Sequence, residues 1–383
     1  MSPFVVYAIL IASVTALPAN VLPVTLGLLS RAHGLGPREL GYLVAANTAA
    51  GLLTSISAPY WVSRFSLRPL AGTLLVVMLA SLLGLGYAPT LSILFLMQVL
   101  IGVSAVGIAS ICLGIISAEA QPARAYGYKI TADVILAGTF LALVPVGRVD
   151  LGTYVALLVL PFVAALLLLR HLVPSSVGDV VPPAVPVGLR HAPRAAWLVL
   201  LSMVVFYVAG AGMWPFLERF GVAAGLSQGT AANIIGAGLF VGIAGSMGAV
   251  AVAGRVQGIW PQTIAGVLFV LSIPGMALAN GVASFAIALF LFNAAWNFFI
   301  PFMVALLAAR DSTRRLGALV PGTAMLGGII GPLLAGNLIE AAGYGPAALV
   351  MMTICAVSIV LYVRLEQGAW LRTLPPADLA RES

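Results

Sequence analysis

Two groups of residues in this 383-residue chain have types and spacing suited to chemistry. The first is Lys129 and Asp133, within YGYKITADVILAG (126–138). Lys129 is the chain's single lysine, and the other basic residues are all arginine. A carboxylate one helical turn from an amine can hold a static ion pair, or take a proton in one state and pair in another. The second group is Asn293, Trp296 and Asn297 in FLFNAAWNFFIP, spaced i, i+3, i+4 and so on one helix face. Two amides and an indole offer directional hydrogen bonds and a flat apolar surface to a small solute. Neither group is a catalytic constellation. Cys112 and Cys355 lie inside separate apolar runs and read as small hydrophobes. His33, His171 and His191 fall in connecting segments, and no cluster has metal-ligand spacing. HExxH and GxxxxGK[ST] do not occur. The expectation is a protein that is not an enzyme, with no metal, no cofactor and no ATP-driven domain.

The elements that must position these residues are membrane spans. The chain is 62% hydrophobic and 8% charged, with mean hydropathy +1.13. A bilayer-crossing helix needs about 20 mostly apolar residues, and runs of that kind recur throughout. We read twelve: Pro3–Leu29, Leu40–Trp61, Leu70–Gly86, Leu91–Ile116, Ala125–Val146, Thr153–Leu169, Ala196–Leu217, Ala231–Ala253, Pro261–Ala279, Ser284–Ala308, Leu316–Ile339 and Pro346–Val363. The first run has no basic residue before it and is too long for a signal-peptide core. Connections are short except Arg170–Arg194, which is Pro-rich. This divides the chain into a six-helix bundle (1–170), a linker (171–194), a second six-helix bundle (195–365) and a tail (366–383).

Fourteen of the basic residues fall on the side that carries both termini and the linker, and only Arg31, Arg38, Arg148 and Arg219 fall on the other. The positive-inside rule then makes the termini and linker cytoplasmic. The net charge of +7 is a topology signal and not a nucleic-acid footprint. Shifted on itself by 191 residues (225 − 34 = 191), the chain sets Gly34 on Gly225, Gly51 on Gly242, Arg64 on Arg255, Arg124 on Arg315 and Gly152 on Gly343. The halves are therefore parallel repeats, a known design of secondary transporters. The expected fold is all-α and polytopic, with twelve transmembrane helices in two six-helix repeats.

With twelve helices, a 6+6 repeat and a central linker, the chain resembles the major facilitator superfamily (MFS) over essentially its whole length. Between helices 2 and 3, PYWVSRFSLRP keeps basic positions of the family loop at Arg64 and Arg68, with Ser63 in place of its aspartate and Ser66 in place of its glycine. The repeat copy, AVAGRVQGIWP, keeps Arg255. In LMQVLIGVS, Gln98 stands where many proton-coupled antiporters carry arginine. GGIIGPLLAG in helix 11 looks like a Gly-Pro motif that the antiporters carry in helix 5.

The resemblance implies that helices 2, 5, 8 and 11 line the contact between halves and that helices 1, 4, 7 and 10 line a central cavity. The substrate-binding candidates are then Asn20, Gln98, Tyr207, Trp214, Asn293, Trp296 and Asn297. Asn20, between Pro18 and Pro23, marks a bent helix. The Asn293 face either lines the cavity or fixes helix packing, and Trp214 is equally suited to anchor at the membrane interface. Gly238/Gly242 and Gly327/Gly331 have the small-xxx-small spacing that allows close helix approach, as static packing or as a sliding surface. Arg64, Arg68 and Arg255 are cytoplasmic gate-loop candidates. Lys129 and Asp133 form either a structural pair near the gate or a proton-coupling site. The function implied is secondary active transport of a small neutral or amphipathic organic solute, with protons as the candidate coupling ion and export favoured over import. The alternative is a non-transporting protein of the same fold, a sensor or lipid handler. The partners expected are the solute and the lipid bilayer, with no nucleic acid, for a monomer multiply spanning the inner (plasma) membrane.

Overall fold

The computed structural model describes residues 3–62, 64–171, 192–253, 255, 259–312 and 316–370. Most of the linker, most of the tail, and Arg190, Arg314, Arg315, Arg372 and Arg381 lie outside the described residues. Every regular element among the described residues is a helix. Span 1 is α1 (Pro3–Asn20) with α2 (Leu22–His33). Spans 2 to 6 are α3 (Pro37–Trp61), α4 (Leu67–Tyr87), α5 (Leu91–Ser117), α6 (Pro122–Leu143) and α7 (Leu151–Leu168). Span 7 is α8 (Arg194–Met213) with α9 (Leu217–Ala223). Spans 8 to 12 are α10 (Gln228–Val252), α11 (Trp260–Ala277), α12 (Val282–Arg310), α13 (Val320–Ala342) and α14 (Tyr344–Trp370).

Eleven of these spans are long and apolar enough to cross a membrane. The exception is α6, which has the length at 22 residues but carries Arg124, Lys129 and Asp133. Twelve helical spans are therefore present among the described residues, and the one that falls short of the others as a membrane span is the one that holds the acid–base pair.

The repeat is visible in the backbone. α3 maps onto α10 at both ends (37 + 191 = 228; 61 + 191 = 252), and α5 onto α12 at its start (91 + 191 = 282). Gly34 and Gly225 both take left-handed conformations, with φ of 66° and 86°. Each lets a helix end by turning back on itself: Leu35 N–H donates to Ser30 O and Leu226 N–H to Gly221 O, both at 3.1 Å. Only glycine takes that conformation without a Cβ penalty. Asp150 caps α7 by accepting from Thr153 N–H at 2.8 Å, and hydrogen bonds from the Thr153 hydroxyl and then its N–H hold the exposed carboxyl below the usual carboxylate range.

The halves meet along α3 with α13 and α6 with α10, the helix 2–11 and 5–8 pairings that the resemblance implied. A Cβ on Gly41 would strike the Pro332 carbonyl, and one on Gly336 the Pro37 carbonyl. Gly138 lies under the Phe240 ring and Gly236 against Leu141. These contacts sit toward one end of the bundle, here the far end, opposite the termini. The GxxxG pairs serve a different purpose. Gly238 and Gly242 seat Leu289, Asn293 and Asn297 of α12, and Gly327 and Gly331 seat Tyr207, Val208 and Gly212 of α8. Both pairs pack helices within the C-terminal half.

The closest approach inside the N-terminal half is at Gly102, where a Cβ would collide with the backbone of Asn47. Backbone cannot yield as a flexible side chain can. Gly102→Ala should cost about 1–3 kcal/mol and lower the melting temperature in detergent. Gly127→Ala, where nothing lies within 4 Å, should leave the melting temperature unchanged. Equal melting of the two variants would contradict the packing described.

Candidate functional site

Between the halves lies a cavity of about 330 Å³. Asn20 of α1 and Asp133 of α6 line it from the N-terminal half. Trp214 after α8, Ser246 of α10, and Asn293, Trp296 and Asn297 of α12 line it from the C-terminal half. Six of the sequence candidates thus converge on one space.

Proline chemistry shapes two of its walls. Pro23 has no N–H to give the carbonyl four residues earlier, which is that of Ala19. The helix breaks there, between Asn20 and Leu22. The freed Ala19 oxygen accepts from Trp214 Nε1 at 3.1 Å, a bond between spans 1 and 7 and so between the two halves. Trp214 is therefore a cross-half strut as well as a lining residue. Beside it at the far end, the buried Glu218 carboxylate fills the space left by Gly27 of α2. On α12, Pro301 likewise withholds an N–H from the Asn297 carbonyl.

Trp296 sits where Gly210 leaves room, since a Cβ there would enter the indole ring. Phe206, Phe269 and Phe292 hold it, with ring centroids at 5.1, 5.5 and 6.0 Å. Tyr207 also packs edge-on against Trp296, at 5.5 Å. Tyr207 is thus placed behind the indole and not in the cavity wall.

Asp133 is 9% exposed and accepts from Lys129 Nζ at 2.6 Å through Oδ2. Its Oδ1 is buried with no hydrogen bond within 3.5 Å, and the Ser13 hydroxyl of α1 faces the carboxylate. Ser13 of α1 reaches the same turn of α6, donating to the Lys129 carbonyl at 3.4 Å.

Gln98 lies elsewhere. It is buried in a separate recess inside the N-terminal half, where Asn47 Nδ2 donates to its Oε1 at 3.1 Å and to its carbonyl at 2.9 Å. That arrangement ties α3 to α5. Arg64 and Arg68 stand exposed at the terminus-bearing end, as does Arg255, whose Nη1 donates to Ala251 O at 3.3 Å. Among the described residues no group of three His, Cys, Asp or Glu side chains could hold a metal ion. Sequence reasoning missed Ser13, Ser246 and Gly210. The first two are hydroxyls common in membrane helices, and the third shows itself only through the indole it accommodates.

No protein-family model matches the sequence, and no curated protein sequence matches it. Solved structures do. A bacterial homolog of the human lysosomal transporter Spinster, inward-facing and unoccupied, superposes with TM-score 0.71 at 14% identity, covering 98% of this chain and 100% of that one. The nucleoside transporter NupG gives 0.72 at 13%, covering 96% and 99%. A D-xylose-proton symporter gives 0.71 at 16%, covering 94% and 96%. The likeness is one of fold, over nearly the full length of each chain, and it is the fold that the MFS resemblance implied.

The ion pair has a measurable worth. Removing one partner of a buried pair strands the other's charge and costs about 3 kcal/mol or more. Lys129→Met should therefore melt well below the parent, and Lys129→Met with Asp133→Asn should recover most of the loss. A double variant that melts as low as the single one would mean that Lys129 stabilises the protein through packing alone.

Proposed function

We propose that the chain is a secondary transporter that carries a small neutral or amphipathic organic solute across the inner membrane by alternating access. The observation that carries this reading is a cavity between two repeat-related bundles, walled by polar residues from both and by aromatic residues of the second. A solute held there contacts both halves, so rocking one half against the other can move its exposure from one side to the other. Contacts at the far end, Gly41 on Pro332, Gly138 under Phe240 and Trp214 on Ala19, support a state closed at that end. The arginine asymmetry supports cytoplasmic termini, which makes this an inward-facing state. Arg64, Arg68 and Arg255 then stand at the cytoplasmic mouth as gate-loop residues. Asn20, Trp214, Asn293, Trp296 and Asn297 are the binding residues we favour. Gln98 serves packing, and Tyr207 supports Trp296.

Asp133 is the coupling residue in this reading. It borders the cavity, and its partner Lys129 lies one turn nearer the cytoplasm with a stem long enough to reach water. Protonation of Asp133 would release Lys129, and deprotonation would recapture it.

The solute is found first as the compound that raises the melting temperature of the purified protein. Its flux is then followed in proteoliposomes under inward and outward proton gradients, which also fixes direction. Asp133→Asn should lose proton-driven accumulation and keep solute exchange. Full accumulation by that variant would refute coupling at Asp133. Absence of flux for every stabilising compound under every gradient would refute transport and favour a non-transporting role.

A further inference from the structure

We infer that the cavity takes an amphipathic organic ammonium: a protonated amine on an aromatic or apolar body, bound through its N–H groups to Asp133 and the neighbouring amide oxygens. This rests on the reading of the cavity as the solute site and names the solute's chemistry.

The argument begins with which way the amides face. Asn20 Nδ2 donates to Ala16 O at 3.2 Å, Asn293 Nδ2 to Leu289 O at 3.1 Å, and Asn297 Nδ2 to Asn293 O at 2.9 Å. A carbonyl can only accept, so in each amide the nitrogen must be the end turned onto its own helix. The three amide oxygens are left with no partner among the described residues. Ser246 spends its hydroxyl on Gly242 O at 3.4 Å, and Trp214 spends its N–H on Ala19 O. The Asn297 carbonyl lacks its helical donor because of Pro301. Asp133 adds a carboxylate whose Oδ1 makes no hydrogen bond within 3.5 Å and has only the Ser13 hydroxyl facing it beside Lys129. The Trp296 indole N–H is the one side-chain donor of the lining for which no acceptor is recorded. The wall is therefore rich in acceptors and short of donors. The amide oxygens are open to the cavity, where the N–H or O–H groups of a ligand can take the place of water on them.

Charge narrows the choice. Carbonyl oxygens and a carboxylate repel an anion, and no cationic side chain lines the cavity. A bond from an ionised donor to a carboxylate is about twice as strong as a neutral one. Trp296, fixed among Phe206, Phe269 and Phe292, presents a ring to a cation or to an apolar body. Lys129 makes the exchange possible without burying a new charge. Its amine already occupies Asp133 Oδ2, and its stem can withdraw toward the terminus-bearing end as the solute's ammonium takes its place. One ammonium replaces another on the same carboxylate.

The test uses the purified full-length protein in detergent and isothermal titration with 2-phenylethylammonium, its N,N,N-trimethyl analogue and 3-phenylpropionate. The first should bind about tenfold or more tightly than the other two, the worth of one charge-assisted hydrogen bond. Asp133→Asn should weaken it by about tenfold or more on the same ground. Lys129→Gln, which removes the competing amine, should tighten it. A folding defect cannot produce these opposite shifts. Equal binding of the carboxylate, no change in Asp133→Asn, weaker binding in Lys129→Gln, or no binding of the ammonium overturns the assignment. Flux confined to solutes without an ammonium would overturn it while leaving the transport reading intact. An ammonium that binds in the expected pattern yet crosses under no gradient would uphold the site and refute transport.

Discussion

A polar group at membrane depth must find its partner within the protein, because hydrocarbon offers none. That constraint shapes nearly every functional feature of this molecule. Where Pro23 strips the donor from Ala19, a tryptophan from the other half of the chain supplies one. Where asparagines enter α12, their nitrogens fold back onto the helix's own carbonyls. Where a carboxylate enters α6, the chain's only lysine stands one turn away to meet it. The Asp133 carboxylate and the amide oxygens that no helix carbonyl or donor occupies gather around a cavity shared by the two halves. Satisfied groups build the scaffold, and the others face the cavity that we propose as the solute site.

The repeat carries the scaffold, while the cavity chemistry belongs to one copy or the other. The left-handed glycines, the bond that closes each turn, and the matched bounds of α3 and α10 occur in both halves. Moving Lys129 and Asp133 by 191 residues gives Val320 and Ala324. Moving Asn293 and Asn297 back by the same shift gives Gly102 and Val106. The acid is thus supplied by one half and the amide face by the other. A solute that touches both must bridge the interface, which is the geometry that couples binding to relative motion of the halves.

Much of this was legible in the sequence, because membrane spans announce themselves by composition and repeats by a constant shift. The twelve helices, and the place of Asn20 and the Asn293 face on cavity-lining helices, followed from spacing and from the MFS resemblance, whereas Asp133 was expected at the contact between halves and its place on the cavity wall was not. What could not be read was the rotation of each helix about its axis, since that is set by close packing at small residues. Gln98 sits on a helix expected to line the cavity, yet Gly102 draws α5 against Asn47 and turns Gln98 toward α3. Tyr207 shares span 7 with Trp214 but lies behind Trp296, because Gly327 lets α13 pack tightly on it. Of the two readings of the glycine pairs, static packing is the one observed: they seat Asn293, Asn297 and Tyr207 within one half and do not lie between the halves.

The most direct measurement is thiol accessibility from each side of the membrane. Single cysteines at Ser246 and Asn297, in a chain with the buried Cys112 and Cys355 replaced by alanine, would be exposed to a membrane-impermeant maleimide in oriented vesicles. Alternating access through this cavity predicts that both positions label from either side, and that a compound stabilising the protein protects them. Labelling from one side only, unchanged by any such compound or gradient, would show that the cavity is a fixed vestibule and would contradict the account.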